Sequence, residues 1–101
     1  RMKFAIFFED DPKADPAIRK RHMAAHLAFL EAQRGAVEAA GPLMDADSAP
    51  AGGLWIVETA NAAEAEALVK ADPFWPTGLR KSFTIREWRR VFADGRPLID
   101  R

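Results

Sequence analysis

MKFAIFF, residues 2–8, is short, aromatic and uncharged after Lys3. Apolar side chains on both faces mark a central strand in a sheet that is covered on both sides. LWIVET, residues 54–59, reads the same way. The rest of the chain is placed around these two strands. EDDPK, residues 9–13, is a polar break. Asp15 followed by Pro16 supplies an N-cap and a proline at the first helical position. The helix runs from there to residue 34 and stops at Gly35, a C′ glycine. AVEAAGPL, residues 36–43, reads as a short strand, and Pro42 near its end suits a sheet edge. Residues 44–53 are a loop by composition. Asn61 with Glu64 three residues on opens an alanine-rich helix over residues 62–71, which Asp72-Pro73 ends. Residues 74–79 form a turn or a short helical piece. SFTIREW, residues 82–88, alternates as a last strand.

The order βαββαβ predicts a ferredoxin-like α+β fold, an antiparallel four-stranded sheet with two helices on one face. In that topology the first and third strands are central, and these are the two strands read as apolar on both faces. The helices cover one face of the sheet. The other face implies a partner, most simply a second copy of the chain. Met2 is read as the native start. Residues 2–92 are expected to be the domain, and 93–101 a tail with an Asp94-Gly95 turn. Leu98 and Ile99 after Pro97 are expected to dock the tail on its own domain or on its partner's.

The chain has 101 residues, enough for one domain. A hydrophobic content of 49% excludes intrinsic disorder. Fifteen basic residues balance fifteen acidic ones, so the basic excess of a duplex-binding domain is missing and no nucleic-acid partner is expected. No stretch reaches the roughly 18 apolar residues of a membrane helix, and no secretory signal pattern is seen. Zero cysteines exclude disulfides, a thiol nucleophile and an iron–sulfur cluster, and a cytoplasmic location is expected.

Dinucleotide, P-loop, nucleophile-elbow and zinc-protease motifs are all absent. Ser48 and Ser82 have no histidine near them in sequence, and tyrosine is missing. Histidine and carboxylates must carry any chemistry. Stepping by about 100° per residue from Ile18, the apolar arc of the first helix spans roughly 180°, with His26 close to its middle. Arg19 and His22 share that side. A buried charged histidine is costly without a partner. His26 is therefore either a core histidine bonded to a neighbouring strand or a proton carrier in a pocket between helix and sheet. A third reading makes His22 and His26 two metal ligands, but no third ligand is signalled. Asp72 opposes the helix dipole unless it caps the turn that follows. Asp45 and Asp47 read as solvated, and Glu9, Asp10 and Asp11 as a polar turn. Phe74-Trp75-Pro76 is a rigid apolar corner, while Trp55 and Trp88 read as core or dimer contacts, one of which would line a pocket.

The pieces HMAAHLAFLEA (residues 22–32), AAGPLMD (39–45), GGLWIVET (52–59), ADPFWPTGL (71–79) and SFTIREWRRVF (82–92) occur in this order. Together they resemble the YciI-like, or YCII-related, family of the dimeric α+β barrel superfamily, over about residues 2–92. The resemblance implies a ferredoxin-like unit dimerised through its sheet. It implies a possible acid–base pair of a helix histidine, here His26, and the aspartate of the DPF motif, here Asp72. Gly41 and Pro42 match its GP turn, and Phe74 belongs to the DPF motif. Superfamily relatives act on small cyclic or aromatic compounds by isomerisation, elimination or oxygenation. His22 and the tail after Phe92 lie outside the pattern.

The expectation is a lyase or isomerase for a small organic molecule, without cofactor or metal. His26 would move the proton and Asp72 orient it, with Arg19 or His22 holding an anionic group and Gly41, Pro42 and Phe74 contacting substrate. The alternatives are a non-catalytic dimeric module that binds a small ligand and a haem protein with an axial helix histidine.

Overall fold

The structure is a computed structural model, in which residues 1–100 are described. Four strands and two helices follow one another as β1 (Met2–Asp10), α1 (Ala17–Ala32), β2 (Val37–Met44), β3 (Pro50–Thr59), α2 (Ala62–Ala71) and β4 (Arg80–Glu87). The sheet order is β2-β3-β1-β4, with every pair antiparallel. This is the expected ferredoxin-like α+β fold, with β1 and β3 central.

Strand alternation divides the two central strands. Phe4, Ile6 and Phe8 of β1 and Trp55 and Val57 of β3 turn to the helices and are at most 4% exposed. They pack with Val37, Ala65 and Val69 in one core. Each such side chain contributes about 1.5–3 kcal/mol by leaving water. Ala5, Phe7, Leu54 and Ile56 turn to the opposite face, where they line a shallow groove with Trp88. Phe7 stays 44% exposed and Trp88 45%, so the described residues leave this face uncovered.

Several boundaries differ from the sequence reading. β1 runs on through Glu9 and Asp10, because these residues still pair with β3 and β4. β3 begins at Pro50, so the loop expected over residues 44–53 shrinks to a short connection. There Asp45 Oδ1 accepts from the amides of Asp47 and Ala49. α1 ends at Ala32 rather than near residue 34, and Gly35 is not a left-handed C′ residue. Tight bonds from Ala36 and Val37 to the Gln33 carbonyl close that end instead. α2 has the bounds read from the sequence: Asn61 Oδ1 accepts from the Glu64 amide at 2.9 Å, and Glu64 Oε2 accepts from the Ala60 amide. β4 starts two residues earlier than expected, at Arg80. Pro42 lies on β2, which is an edge strand.

Gly52 is buried beside β1, and a Cβ there would run into the Phe8 carbonyl. These are backbone atoms of β1, which cannot yield as a flexible side chain would. Gly52→Ala is expected to lower stability by about 1–3 kcal/mol, read from denaturant unfolding; an unchanged midpoint would contradict this close approach.

Candidate active site

The two histidines sit on α1, and only one reaches the site. His26 turns inward and is 8% exposed. His22 is half-buried and is not among the residues that line the cavity described below, contrary to its expected substrate contact. A step of four residues almost closes a helical turn, but the drift moves His22 round toward the helix edge.

His26 Nδ1 lies 2.8 Å from Asp72 Oδ1. Asp72 follows the last residue of α2 and is 1% exposed. Its Oδ2 accepts from Arg80 Nη1 at 2.6 Å, and its Oδ1 also accepts from the Phe74 amide at 3.2 Å. The Trp75 amide donates to the Asp72 carbonyl, which starts the 3-10 turn Trp75–Thr77. Asp72 therefore fills both roles open to it in the sequence: it caps the turn and it pairs with the histidine. Burial pushes its carboxyl up, but the hydrogen bond from His26 and the charge and hydrogen bond of Arg80 outweigh burial and hold it below the ordinary value of 3.8. A carboxylate that is ionised can only accept, so the proton between the two groups sits on Nδ1. In the neutral ring this leaves the Nε2 lone pair free, and Nε2 has no hydrogen-bond partner among the described residues.

Arg80 is buried along β4 with its guanidinium 4.0 Å from the centre of the Phe8 ring. Burial draws it below its usual value while Asp72 draws it back up. No sequence signal marked this arginine. Phe83 and Ile85 are half-buried on β4, and strict alternation from them would send Arg80 outward. The register slips where Glu9 pairs with Ser82 but Asp10 pairs with Arg80. That bulge at Lys81 turns Arg80 back inward. Asp10 follows the inward set of β1 and was misread as a polar turn. It binds Arg19 at 2.8 Å, and Arg19 also reaches the Gly52 carbonyl at 3.5 Å.

These groups surround a cavity of about 130 Å³ between α1, β2 and β3. His26, Arg19, Arg80 and Asp10 supply its polar wall, and Trp55, Phe74, Met23, Leu27 and Leu30 its apolar wall. Gly41, Pro42 and Gly53 form the floor along the sheet edge. The His26 ring stacks at 4.5 Å on Phe74 and 6.1 Å from Trp55, which fixes its tilt. An apolar cavity of roughly 150 Å³ takes one benzene ring, so this space matches a single six-membered ring. The structure thus brings Arg19, His26, Gly41, Pro42 and Phe74 to one cavity with Asp72 behind it. Among the described residues, no three His, Asp or Glu side chains come together as a metal site.

The chain is similar to the 5-chloro-2-hydroxyhydroquinone dehydrochlorinase (TftG) of Burkholderia phenoliruptrix, whose structure holds 2,5-dihydroxybenzoquinone. The two share 29% identity and a TM-score of 0.74 over 87% of this chain and 94% of that one. An antibiotic biosynthesis monooxygenase matches at 16% identity, TM-score 0.52, over 90% of this chain and 99% of its own, a likeness of fold alone. No curated protein sequence gives a significant match. Among the described residues, no helix is long and apolar enough to cross a membrane. The family model of the YCII-related domain matches residues 2–89, and the chain belongs to that family.

Proposed function

We propose that the protein is a lyase for a small hydroxylated or quinoid ring, with His26 as the proton carrier. The observation that supports it is the unbonded Nε2 of His26 at the wall of a ring-sized cavity, with Asp72 and Arg80 behind it. Nε2 takes a proton from the substrate. The electron pair left behind forms a new double bond, and the leaving anion departs with its bonding electrons. Asp72 holds the ring in the tautomer that makes Nε2 basic and stabilises the imidazolium that forms. Arg19 and Arg80 face the charge that develops on substrate oxygen. This chemistry needs only protein groups, so the reaction runs without a cofactor. The ligand of TftG supports the ring class. The open sheet face, with Phe7 and Trp88 nearly half exposed, supports a homodimer packed through the sheet.

The test is halide release from 5-chloro-2-hydroxyhydroquinone by the full chain. The expected result is catalytic chloride release that follows enzyme concentration. Binding of the ring with no release would overturn the lyase reading and leave a ligand-binding module.

A further inference from the structure

Two guanidiniums stand in the cavity wall, Arg19 and Arg80, and by themselves they would describe a receptor for a carboxylate. Each already has a carboxylate of its own. Arg80 Nη1 lies 2.6 Å from Asp72 Oδ2, and Arg19 Nη1 lies 2.8 Å from Asp10 Oδ2. The Asp72 side chain is 0% exposed and the Asp10 side chain 14%, so water screens both charges poorly. Asp10 Oδ1 is sealed from water and has no partner among the described residues, which leaves Arg19 as the direct partner of that carboxylate. The four groups form one electrostatic cluster. Burial lowers Arg80, Asp72 draws it back up, and the charges of Arg19 and Asp10 reach it as well.

Two guanidiniums and two carboxylates sum to zero beside the neutral His26 ring that the proposed base requires. An uncharged hydroxylated ring enters without disturbing that sum. A ring with a fixed carboxylate adds a negative charge where screening is weak. Proton transfer from an uncharged ring to His26 creates one positive and one negative charge together, so the balance holds through the step. Asp10 and Arg19 also line a larger depression outside the cavity, which places the pair at its mouth. There Glu9 pairs with Lys81 and Asp15 with Arg21, but Asp11 and Asp45 pair with no cation among the described residues. A carboxylate therefore meets negative potential on the way in, weakened by salt because these groups are exposed. Of the two carboxylates in the cluster, Asp72 is locked behind the wall by three donors, whereas Asp10 is itself part of the wall.

We infer that Asp10 is a specificity-determining residue: paired with Arg19, it makes the cavity take an uncharged hydroxylated ring and reject a ring that carries a fixed carboxylate. Arg19 then serves charge that develops during the reaction rather than a permanent anion. The inference rests on the ring-binding part of the function proposed above and not on its lyase step.

Isothermal titration calorimetry on the full chain near pH 7 tests this with three probes: hydroquinone, 2,5-dihydroxybenzamide and 2,5-dihydroxybenzoate. The last two share a shape and differ by one charge. The wild-type chain is expected to bind the amide about tenfold more tightly than the acid. Asp10→Asn keeps an oxygen for Arg19 and removes the charge, and it is expected to erase that preference or turn it toward the acid. Arg19→Gln leaves Asp10 unbalanced and is expected to widen the preference; it carries the test if Asp10→Asn does not fold by circular dichroism. The double variant has neither charge and is expected to return to the wild-type ratio. A wild-type chain that binds acid and amide equally would overturn the inference, and so would a ratio unmoved in both single variants. Hydroquinone bound with both larger probes rejected would also overturn it, since size would then do the selecting. Binding of none of the three would overturn the ring-binding reading together with it.

Discussion

Asp72→Ala is expected to cost about 3–5 kcal/mol, a large share of the stability of a domain this size. The substitution removes no large apolar group. It leaves Arg80, whose side chain is 7% exposed, as a buried charge without its partner. It also frees the Phe74 amide and the His26 Nδ1 proton. Three donors converge on one carboxylate, so their loss is felt together. The same carboxylate gives stability a pH dependence of known sign. Its folded pKa lies below 3.8, so its contribution is in place above about pH 5 and is lost as pH falls through 3.8 toward the lower folded value. Asp72→Asn is expected to flatten that acid limb, measured as the unfolding midpoint between about pH 3 and pH 7. An Asp72→Ala protein as stable as wild type would mean that the buried pair does not form.

Much of this arrangement was legible in the chain, for identifiable reasons. MKFAIFF and LWIVET carry apolar side chains at consecutive positions, so both must be central, and the order β2-β3-β1-β4 follows. His26 near the middle of the apolar arc pointed inward by periodicity alone. Asp72 was placed by the DPF resemblance, and its capping bond by the proline after it. Arg80 was missed because a pairing slip between β1 and β4 turns it inward, and pairing across strands leaves no trace in one strand's own pattern. Asp10 was missed because β1 runs on past Phe8 through charged residues, where alternation turns Asp10 inward. His22 was misplaced by the opposite error: helical periodicity gives a side, while the cavity occupies only part of that side. The long loop before residue 54 was misread because Gly52 and Gly53 look like loop residues. They are strand residues with little side-chain room, Gly52 against the Phe8 carbonyl and Gly53 beside the Gly41 carbonyl. The sequence reading left the tail's docking open between its own domain and its partner's; Phe92, Leu98 and Ile99 are 59%, 45% and 58% exposed, so the described residues do not bury them.

The proposed function makes His26 a proton carrier and not only a bond to Asp72. His26→Asn separates the two roles. The asparagine amide can still donate to Asp72, so the buried carboxylate keeps its partners and stability should stay within about 1–2 kcal/mol of wild type. It has no titratable nitrogen, so proton transfer is lost. The deciding measurement is the rate of chloride release from 5-chloro-2-hydroxyhydroquinone by folded His26→Asn beside wild type. The predicted result is a fall of about 10²–10⁴-fold in kcat with the melting curve nearly unchanged. A folded His26→Asn protein that releases chloride as fast as wild type would rule out His26 as the proton carrier.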